Sequence, residues 1–139
     1  MKVVTTNLEF QTKGENDVIN LTEMVREAIE QQKITNGLVT IFGVASTAAV
    51  TIMEYEPGLV KDFPAMLERI APKTFPYEHH KTWHDDNGRS HVKSSLVGLS
   101  LTIPLVDGSL ALGTWQQVVF FELDTKPRSR KVIVQIMGK

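Results

Sequence analysis

A short segment in the second half of the chain concentrates side chains that could bind a metal ion or an anion. Imidazole and carboxylate groups are common ligands of divalent cations. Thirteen residues contain six such groups: His79, His80, His84, Asp85, Asp86 and His91. Because no HExxH or comparable fixed spacing is present, the pattern indicates a metal or anion site without specifying its geometry. A solvated polar loop is the alternative interpretation.

Asp85 and Asp86 stand side by side, directly before Asn87-Gly88. Mg²⁺ is usually held by one or two carboxylates together with substrate phosphates, so this pair could bind a divalent cation. Asp-Asp-Asn-Gly is also favourable turn chemistry, and one aspartate could simply cap the loop. A turn is expected in either case.

The residues that follow His91 could bind phosphate, because they combine an ammonium group with hydroxyl donors. If this segment leads into a strand, alternation places His91, Lys93 and Ser95 on one face and Ser94 on the other. The alternative is a solvent-facing strand edge, where Lys93 only discourages aggregation.

Gly113-Thr114-Trp115-Gln116 opens another predicted strand. A tryptophan in such a place is more often packed in a core or an interface than stacked on a ligand, so packing is favoured for Trp115. Gly113 is the exception, because a glycine inside a strand pattern suggests a bulge or a ligand that approaches the backbone.

These residues must be positioned by a mixture of strands and helices. Apolar residues at helical spacing predict helices over residues 21–29 and 59–70, and alternating or β-branched runs predict strands. Prolines, aromatic residues and histidines without a period predict a long loop over residues 72–87. The predicted strands are residues 2–10, 38–44, 48–53, 96–105, 110–112, 115–123 and 130–137, with Asp107-Gly108 as a hairpin turn.

Length and composition exclude several classes of protein. A chain of 139 residues has the size of one domain, and a formal net charge of −1 gives no general attraction to nucleic acid or anionic lipid. No run approaches the 18 or more apolar residues of a membrane span. There is no cysteine, which suits a reducing compartment. We therefore expect a cytoplasmic protein that binds neither nucleic acid nor membranes.

The strand at residues 117–121 is apolar on both of its alternating faces. One face is expected to meet the core, and the other face a second sheet or a partner chain. A sandwich interior and an oligomer interface both fit this pattern.

The chain resembles the YjbQ-like, secondary thiamine-phosphate synthase family over nearly its full length. The most specific match is the combination of His91-Val92-Lys93-Ser94-Ser95-Leu96 with Leu112-Gly113-Thr114-Trp115-Gln116 at the same separation. Further matches are Asn36-Gly37-Leu38-Val39, Ser46-Thr47-Ala48-Ala49-Val50-Thr51-Ile52 with Glu54, Asp62, Tyr77-Glu78-His79 and Asp85-Asp86-Asn87.

The resemblance implies a single α+β domain over residues 1–139, a two-sheet β-sandwich of about seven strands with two helices. It implies a homotrimer in which sheets pack about a threefold axis. It also implies a weak or secondary transferase that joins an aminopyrimidine diphosphate to a thiazole phosphate and releases pyrophosphate. The ligands would then be small phosphorylated molecules and a divalent metal, Mg or Zn.

Matching positions carry the family's site residues onto this chain. The catalytic candidates are His91, Asp86 and Glu54. The candidate metal ligands are His79, His91 and Asp86. The candidates for binding substrate or phosphate are Lys93, Ser94, Gly113, Trp115 and Gln116.

Two positions depart from the family's pattern. Ala45 stands where a histidine usually opens the strand, and Met53 stands where an asparagine usually precedes the glutamate. Alanine cannot replace an imidazole donor. A trimer that binds a metal or an anion without catalysis is therefore the alternative function.

Overall fold

The computed structural model describes residues 1–139, which form eight strands and four helices. The strands are β1 (Lys2–Gln11), β2 (Val18–Asn20), β3 (Gly37–Gly43), β4 (Ala48–Met53), β5 (Ser100–Val106), β6 (Ser109–Leu110), β7 (Gln117–Glu122) and β8 (Ser129–Gly138). The helices are α1 (Thr22–Glu30), α2 (Pro57–Ile70), α3 (His79–Trp83) and α4 (Gly88–Val97).

Sheet A contains five antiparallel strands in the order β1-β8-β3-β5-β6. Its side chains alternate between a buried face and an open face, as a pleated strand requires. The buried face carries Val39, Ile41 and Val134, which belong to the main core cluster. The open face carries apolar side chains that nothing in the chain covers, among them Leu38 and Phe42.

Sheet B contains three antiparallel strands in the order β2-β7-β4. Phe120 of the central strand β7 packs into the main core with residues of sheet A, whereas Phe121 packs on the other side against Phe63 and Leu67 of α2. Both faces of β7 are therefore covered within one chain. The two-sided apolar pattern of residues 117–121 has an internal cause and gives no support for a partner chain.

The two helices expected from apolar periodicity are confirmed. Before α1, the Asn20 side chain accepts hydrogen bonds from the backbone N and the hydroxyl of Thr22, at 3.0 and 2.7 Å. Helix α2 begins at Pro57, a favourable first helical residue, and the Glu56 carboxylate caps its first turn. Pro64 lies inside α2, where it removes one backbone hydrogen bond.

The expectation of two helices is wrong, because the segment before β5 folds as two further helices, whereas the eight strands in two sheets agree with the expected two sheets of about seven strands. The predicted loop over residues 72–87 contains α3. Residues 91–95, expected to lead into a strand at residue 96, belong to α4, and β5 begins only at Ser100. Helix α4 buries polar side chains, including Arg89, Lys93 and Ser94. Hydrophobic periodicity cannot detect such a helix, since the period it tests is carried by apolar residues.

The hairpin turn at Asp107-Gly108 is confirmed, and both residues have positive φ angles of 49° and 79°, as a type I′ turn requires. The next two strands are shorter than expected: β6 ends at Leu110 and β7 begins at Gln117. Trp115 therefore lies in a turn before β7, and 71% of it is exposed. No helix is long and apolar enough to cross a bilayer.

Candidate functional site

Two histidines meet where β4 begins and β7 ends, a region that we call the histidine end of sheet B. His79 starts α3 and His91 lies in α4, and the centroids of their rings are 4.5 Å apart. Helix α4 packs against β4 at this end, where the Ser94 hydroxyl donates to the Ala48 carbonyl at 2.6 Å. The separate helices therefore bring together two of the imidazoles that the sequence concentrates.

Asp85 completes this group. The connection between α3 and α4 turns through His84 and Asp86, whose φ angles are 57° and 53°, and it returns the Asp85 carboxylate to within 3.4 Å of His79 Nδ1. Aspartate and histidine tolerate this left-handed conformation better than most residues. His79 Nδ1 is buried and has no hydrogen-bond partner. The group thus contains one nitrogen, His79 Nδ1, that makes no hydrogen bond.

His91 has an altered acidity. Burial lowers its pKa and the neighbouring His79 lowers it further, whereas Asp124, Asp85 and a hydrogen bond with the Ser46 backbone act in the opposite direction. With a pKa below its ordinary value of 6.5, the imidazole is neutral at pH 7. A neutral imidazole has a lone pair with which it can bind a metal ion or accept a proton.

Asp124 anchors the site from the end of β7. Its carboxylate accepts hydrogen bonds from the Thr125 backbone at 2.7 Å, Arg128 Nε at 2.9 Å and the Thr47 hydroxyl at 3.1 Å. Burial alone would raise the pKa of Asp124, but these hydrogen bonds and one from Asn87 lower it to about 2. Asp124 is therefore a fixed negative charge beneath the histidines.

A second buried charge pair lies next to Asp124. The fully buried Glu122 accepts hydrogen bonds from Arg130 Nε at 2.7 Å and the Thr12 hydroxyl at 2.8 Å. Arg130 also donates to the Thr47 hydroxyl at 2.8 Å. Since every member has partners, this network holds the loop before β4 against the end of β7.

The other candidates from the same segment lie elsewhere. Lys93 is two residues from His91, which on a helix places it on nearly the opposite face, and its Nζ donates to Glu68 at 2.8 Å. Asp86 turns toward Arg89, with Oδ2 3.7 Å from Nη1, and its side chain is 67% exposed. Asp85, rather than Asp86, is the carboxylate beside His79.

The remaining candidates lie at the opposite end of sheet B, which we call the tryptophan end. Glu54, Tyr55 and Trp115 line an open groove of about 420 Å³ there. Gly113 and Gln116 close the turn that presents Trp115: Gly113 N donates to the Gln116 side chain at 2.8 Å, and Gln116 N donates to the Gly113 carbonyl at 3.0 Å. Trp115 is exposed, so it does not pack in the core of the chain, whereas packing in an interface stays a prediction.

Sequence reasoning missed the residues that hold the histidine end in place. They are Thr47, Asn87, Asp124, Glu122 and Arg130. One signal was available: carboxylates at alternate positions at the end of an apolar strand, Glu122 and Asp124, are followed by arginines with the same spacing, Arg128 and Arg130. Buried charges need partners of opposite sign, so this spacing could have predicted that the carboxylates and the arginines pair with each other.

The nitrogen donors at the histidine end could hold a cation only together with oxygen ligands. His79 and His91 supply two nitrogens, of which His79 Nδ1 is unpartnered. No group of three or more histidine, aspartate or glutamate side chains in the chain converges as a metal site. A cation held here needs an amide, water or substrate oxygen as a further ligand.

Relatives of this chain are found across archaea and bacteria. Residues 6–139 match the family described as "UPF0047 protein YjbQ-like". A UPF0047 protein from Methanothermobacter thermautotrophicus is 39% identical over 139 residues, covering 100% of this chain and 95% of the relative. UPF0047 protein YugU from Bacillus subtilis is 35% identical over 133 residues, covering 94% of this chain and 97% of the relative.

Solved structures share the fold. A crystal structure from Sulfolobus solfataricus, described as a YbjQ-like protein of unknown function, superposes with a TM-score of 0.92 at 28% identity and covers 99% of both chains. A yjbq/upf0047 protein from Clostridium acetobutylicum has a TM-score of 0.82 at 33% identity, covering 94% of this chain and 99% of the other. From the family match and the similarity of sequence and structure, the chain belongs to the YjbQ-like UPF0047 family.

Proposed function

We propose that this protein is a weak thiamine-phosphate synthase-like transferase and that its reaction centre is the histidine end of sheet B. The observation that carries the proposal is the convergence of two imidazoles from separate helices beside one carboxylate, with His79 Nδ1 buried and unpartnered. Such an arrangement has a cost in stability unless a ligand completes it. The reaction type comes from the family resemblance.

The proposed chemistry joins an aminopyrimidine diphosphate to a thiazole phosphate. The thiazole nitrogen forms a bond to the exocyclic carbon of the aminopyrimidine, the carbon–oxygen bond to diphosphate breaks, and pyrophosphate leaves. A divalent cation would neutralise charge on the leaving group. His79 and His91 would hold that cation, with Asp85 beside them, and the fixed end of β7 would keep their positions. The step needs no covalent nucleophile.

The homotrimer is part of this proposal. The open face of sheet A supports it, because Val3, Leu38, Phe42 and Met137 are each 44–59% exposed. Val3 and Leu38 flank Met137 on adjacent strands, so their side chains form one apolar row. Sedimentation equilibrium at micromolar concentration is expected to give the mass of three chains, and a monomer would contradict this part.

The alternative is a protein that binds a metal or an anion at the same place and does no chemistry. Ala45 favours it, since this residue directly precedes Ser46, whose backbone contacts His91, and it brings no donor to the site. The family's usual histidine at this position would lie one residue from that contact. The two functions therefore differ in whether the groups present are sufficient for turnover.

The test is an assay of thiamine phosphate formation from both precursors with Mg²⁺. His91→Ala is expected to lower kcat at least tenfold, because the cation that neutralises the leaving group would lose one of the two imidazoles proposed to hold it. His80→Ala is the matched control: it removes an exposed imidazole from α3 and is expected to leave kcat unchanged. Ala45→His is expected to raise turnover.

Each outcome decides between the two functions. Product formation that survives His91→Ala would remove the histidine end from the reaction. No product from the wild-type protein, combined with product from Ala45→His, would establish that this chain lacks one catalytic donor and favour the binding function. No product from either protein would reject the transferase.

A further inference from the structure

We propose that a cavity between helix α2 and the start of helix α4 binds a phosphate group, either as inorganic phosphate or as the phosphate of a small organic ester. The cavity has a volume of about 580 Å³. Its lining comes from the β1–β2 connection, from α2 with the residues that follow it, and from α4. The inference goes beyond the proposed function, because this second site takes no part in the transfer reaction.

The cavity and the histidine end lie on opposite faces of α4. Arg89 and Lys93 are four residues apart and share one face of this helix. His91 is two residues from each of them, which places it about 200° around the helix axis. Arg89 lines the cavity and His91 does not. A ligand in the cavity therefore leaves the histidines free.

Two carboxylates line the cavity, and each is paired with a buried base. Glu15 accepts hydrogen bonds from Arg89 Nε at 2.9 Å and Nη2 at 3.1 Å, and Glu68 accepts one from Lys93 Nζ at 2.8 Å. The side chains of Arg89 and Lys93 are each only 4% exposed. The hydrogen bond from Lys93 is the main cause of the lowered pKa of Glu68, so this carboxylate is ionised at pH 7. Each acid is thus matched by one base.

Two further bases line the cavity, and both are exposed lysines without a carboxylate partner. They are Lys61 on α2 and Lys73 just after it, and neither forms an ion pair within the chain. The backbone N of Lys73 donates to Glu68 Oε1 at 2.7 Å, which fixes the start of this side chain at the cavity wall. The cavity therefore presents two ammonium groups whose charge no carboxylate offsets.

Arg89 adds directed hydrogen-bond donors to these charges. A guanidinium has five N–H groups, of which two bind Glu15 here and a third, on Nη1, donates to the Asp86 carbonyl at 2.8 Å. The Asp86 carboxylate lies 3.7 Å from Nη1, beyond hydrogen-bond distance, and does not line the cavity. One N–H on Nη1 and one on Nη2 thus have no hydrogen bond to the protein, on a side chain that its other bonds hold in place.

This combination fits a phosphate monoester or a free phosphate ion. Such a group carries nearly two negative charges at pH 7, which match the two unpaired ammonium groups. Guanidinium N–H groups are well suited to phosphate oxygens. Val60, Pro64 and Ala65 give the cavity an apolar wall that the carbon atoms of an ester could contact. Cavities of this size commonly hold small organic molecules.

The experiment measures binding to the full chain by isothermal titration calorimetry, with inorganic phosphate and glycerol 3-phosphate as probes. Divalent cations are removed, so that the histidine end holds no cation that could attract phosphate, and ionic strength is kept constant. The wild-type protein is expected to bind one anion per chain. Lys61→Gln and Lys73→Gln are each expected to bind it about tenfold more weakly, since each loses a hydrogen bond between charged groups.

Lys131→Gln is the matched control, because it removes the same charge from an exposed lysine of β8 that does not line the cavity. Its affinity is expected to stay within about twofold of the wild type, since salt screens distant exposed charges. All three lysines are exposed, so the variants are expected to keep the Tm of the wild type without ligand.

The outcomes identify the ligand and separate this site from the proposed reaction centre. Tighter binding of glycerol 3-phosphate than of inorganic phosphate would support an organic ester, and equal or weaker binding of the ester would support the free ion. No binding of either probe at millimolar concentration, or equal weakening by Lys61→Gln and Lys131→Gln, would overturn the site. His91→Ala is expected to keep the affinity for phosphate, and a loss in this variant would place the anion at the histidine end instead.

Discussion

At the histidine end of sheet B, buried charged groups stand behind the half-buried imidazoles, whereas at the tryptophan end the polar side chains face solvent. The charge of Asp124 acts on His91, and this carboxylate is 1% exposed and accepts hydrogen bonds from four residues, Thr47, Asn87, Thr125 and Arg128. Glu54 and Trp115 have no comparable support, and their groove is open. The two ends belong to the same strands, β4 and β7.

The difference shows which end can position a reacting group. A side chain fixed by buried hydrogen bonds has few accessible conformations, so a ligand that binds to it loses little extra entropy. An exposed tryptophan offers a large surface without fixed polar partners, which suits contact with a ring or another chain. This contrast supports the proposal that the histidine end, rather than the tryptophan end, is the reaction centre.

The largest expected effect comes from removing the support behind the histidines. Arg130→Ala leaves the Glu122 carboxylate fully buried without its cation, and breaking such a pair typically lowers the free energy of unfolding by about 3–5 kcal/mol. Urea denaturation at pH 7 measures this loss. Arg26→Ala, in the exposed pair with Glu23, is the control and is expected to change stability by less than about 0.5 kcal/mol. Equal losses of unfolding free energy in Arg130→Ala and Arg26→Ala would contradict the claim that the buried pair supports the histidine end.

An intermediate effect is expected from acid, because the pKa of Asp124 is about 2 in the folded protein and its ordinary value is 3.8. A carboxyl group with a lowered pKa stabilises the fold above its unfolded pKa, and this contribution is lost as the pH falls from about 4 toward 2. The ionised Asp124 carboxylate contributes about 2 kcal/mol to the free energy of unfolding at pH 7. The variant Asp124→Asn lacks this contribution at every pH.

The measurement compares urea denaturation of the wild type and Asp124→Asn at pH 7 and pH 2.5. The gap between their free energies of unfolding is expected to narrow by up to about 2 kcal/mol at the lower pH. A gap that does not change with pH would show that Asp124 is not the charged anchor of the histidine end.

The strands and helices that could be predicted are those whose burial follows an apolar period. Helix α1 and strand β7 have that pattern, and their approximate positions were correct. Helix α4 does not, because its buried face carries Arg89, Ser90, Lys93 and Ser94. Three of them have long-range partners: Arg89 donates to Glu15, Lys93 to Glu68 and Ser94 to the Ala48 carbonyl, whereas the buried Ser90 hydroxyl has no partner. Such long-range partners cannot be inferred from local spacing.

The error over α4 also changed which residues were expected to share a site. On a strand, Lys93 would lie on the same face as His91; on the helix it points to Glu68. The local concentration of histidines and aspartates did predict the pair His79 and His91, because two short helices joined by a tight turn keep neighbouring residues close. Asp124 and Arg130 could not be assigned to the site, since they come from the far end of the sequence.

The smallest expected change in stability is at the tryptophan end. Trp115 is 71% exposed in a turn that Gly113 and Gln116 close, so Trp115→Ala is expected to change the free energy of unfolding by less than about 0.5 kcal/mol. The six residues of β4 separate the two ends by about 17 Å within one chain, at about 3.3 Å per residue. The variant is therefore also expected to show the same change of Tm on addition of Mg²⁺ as the wild type. A smaller effect of Mg²⁺ on the variant, at unchanged stability without the ion, would contradict the separation of the two ends.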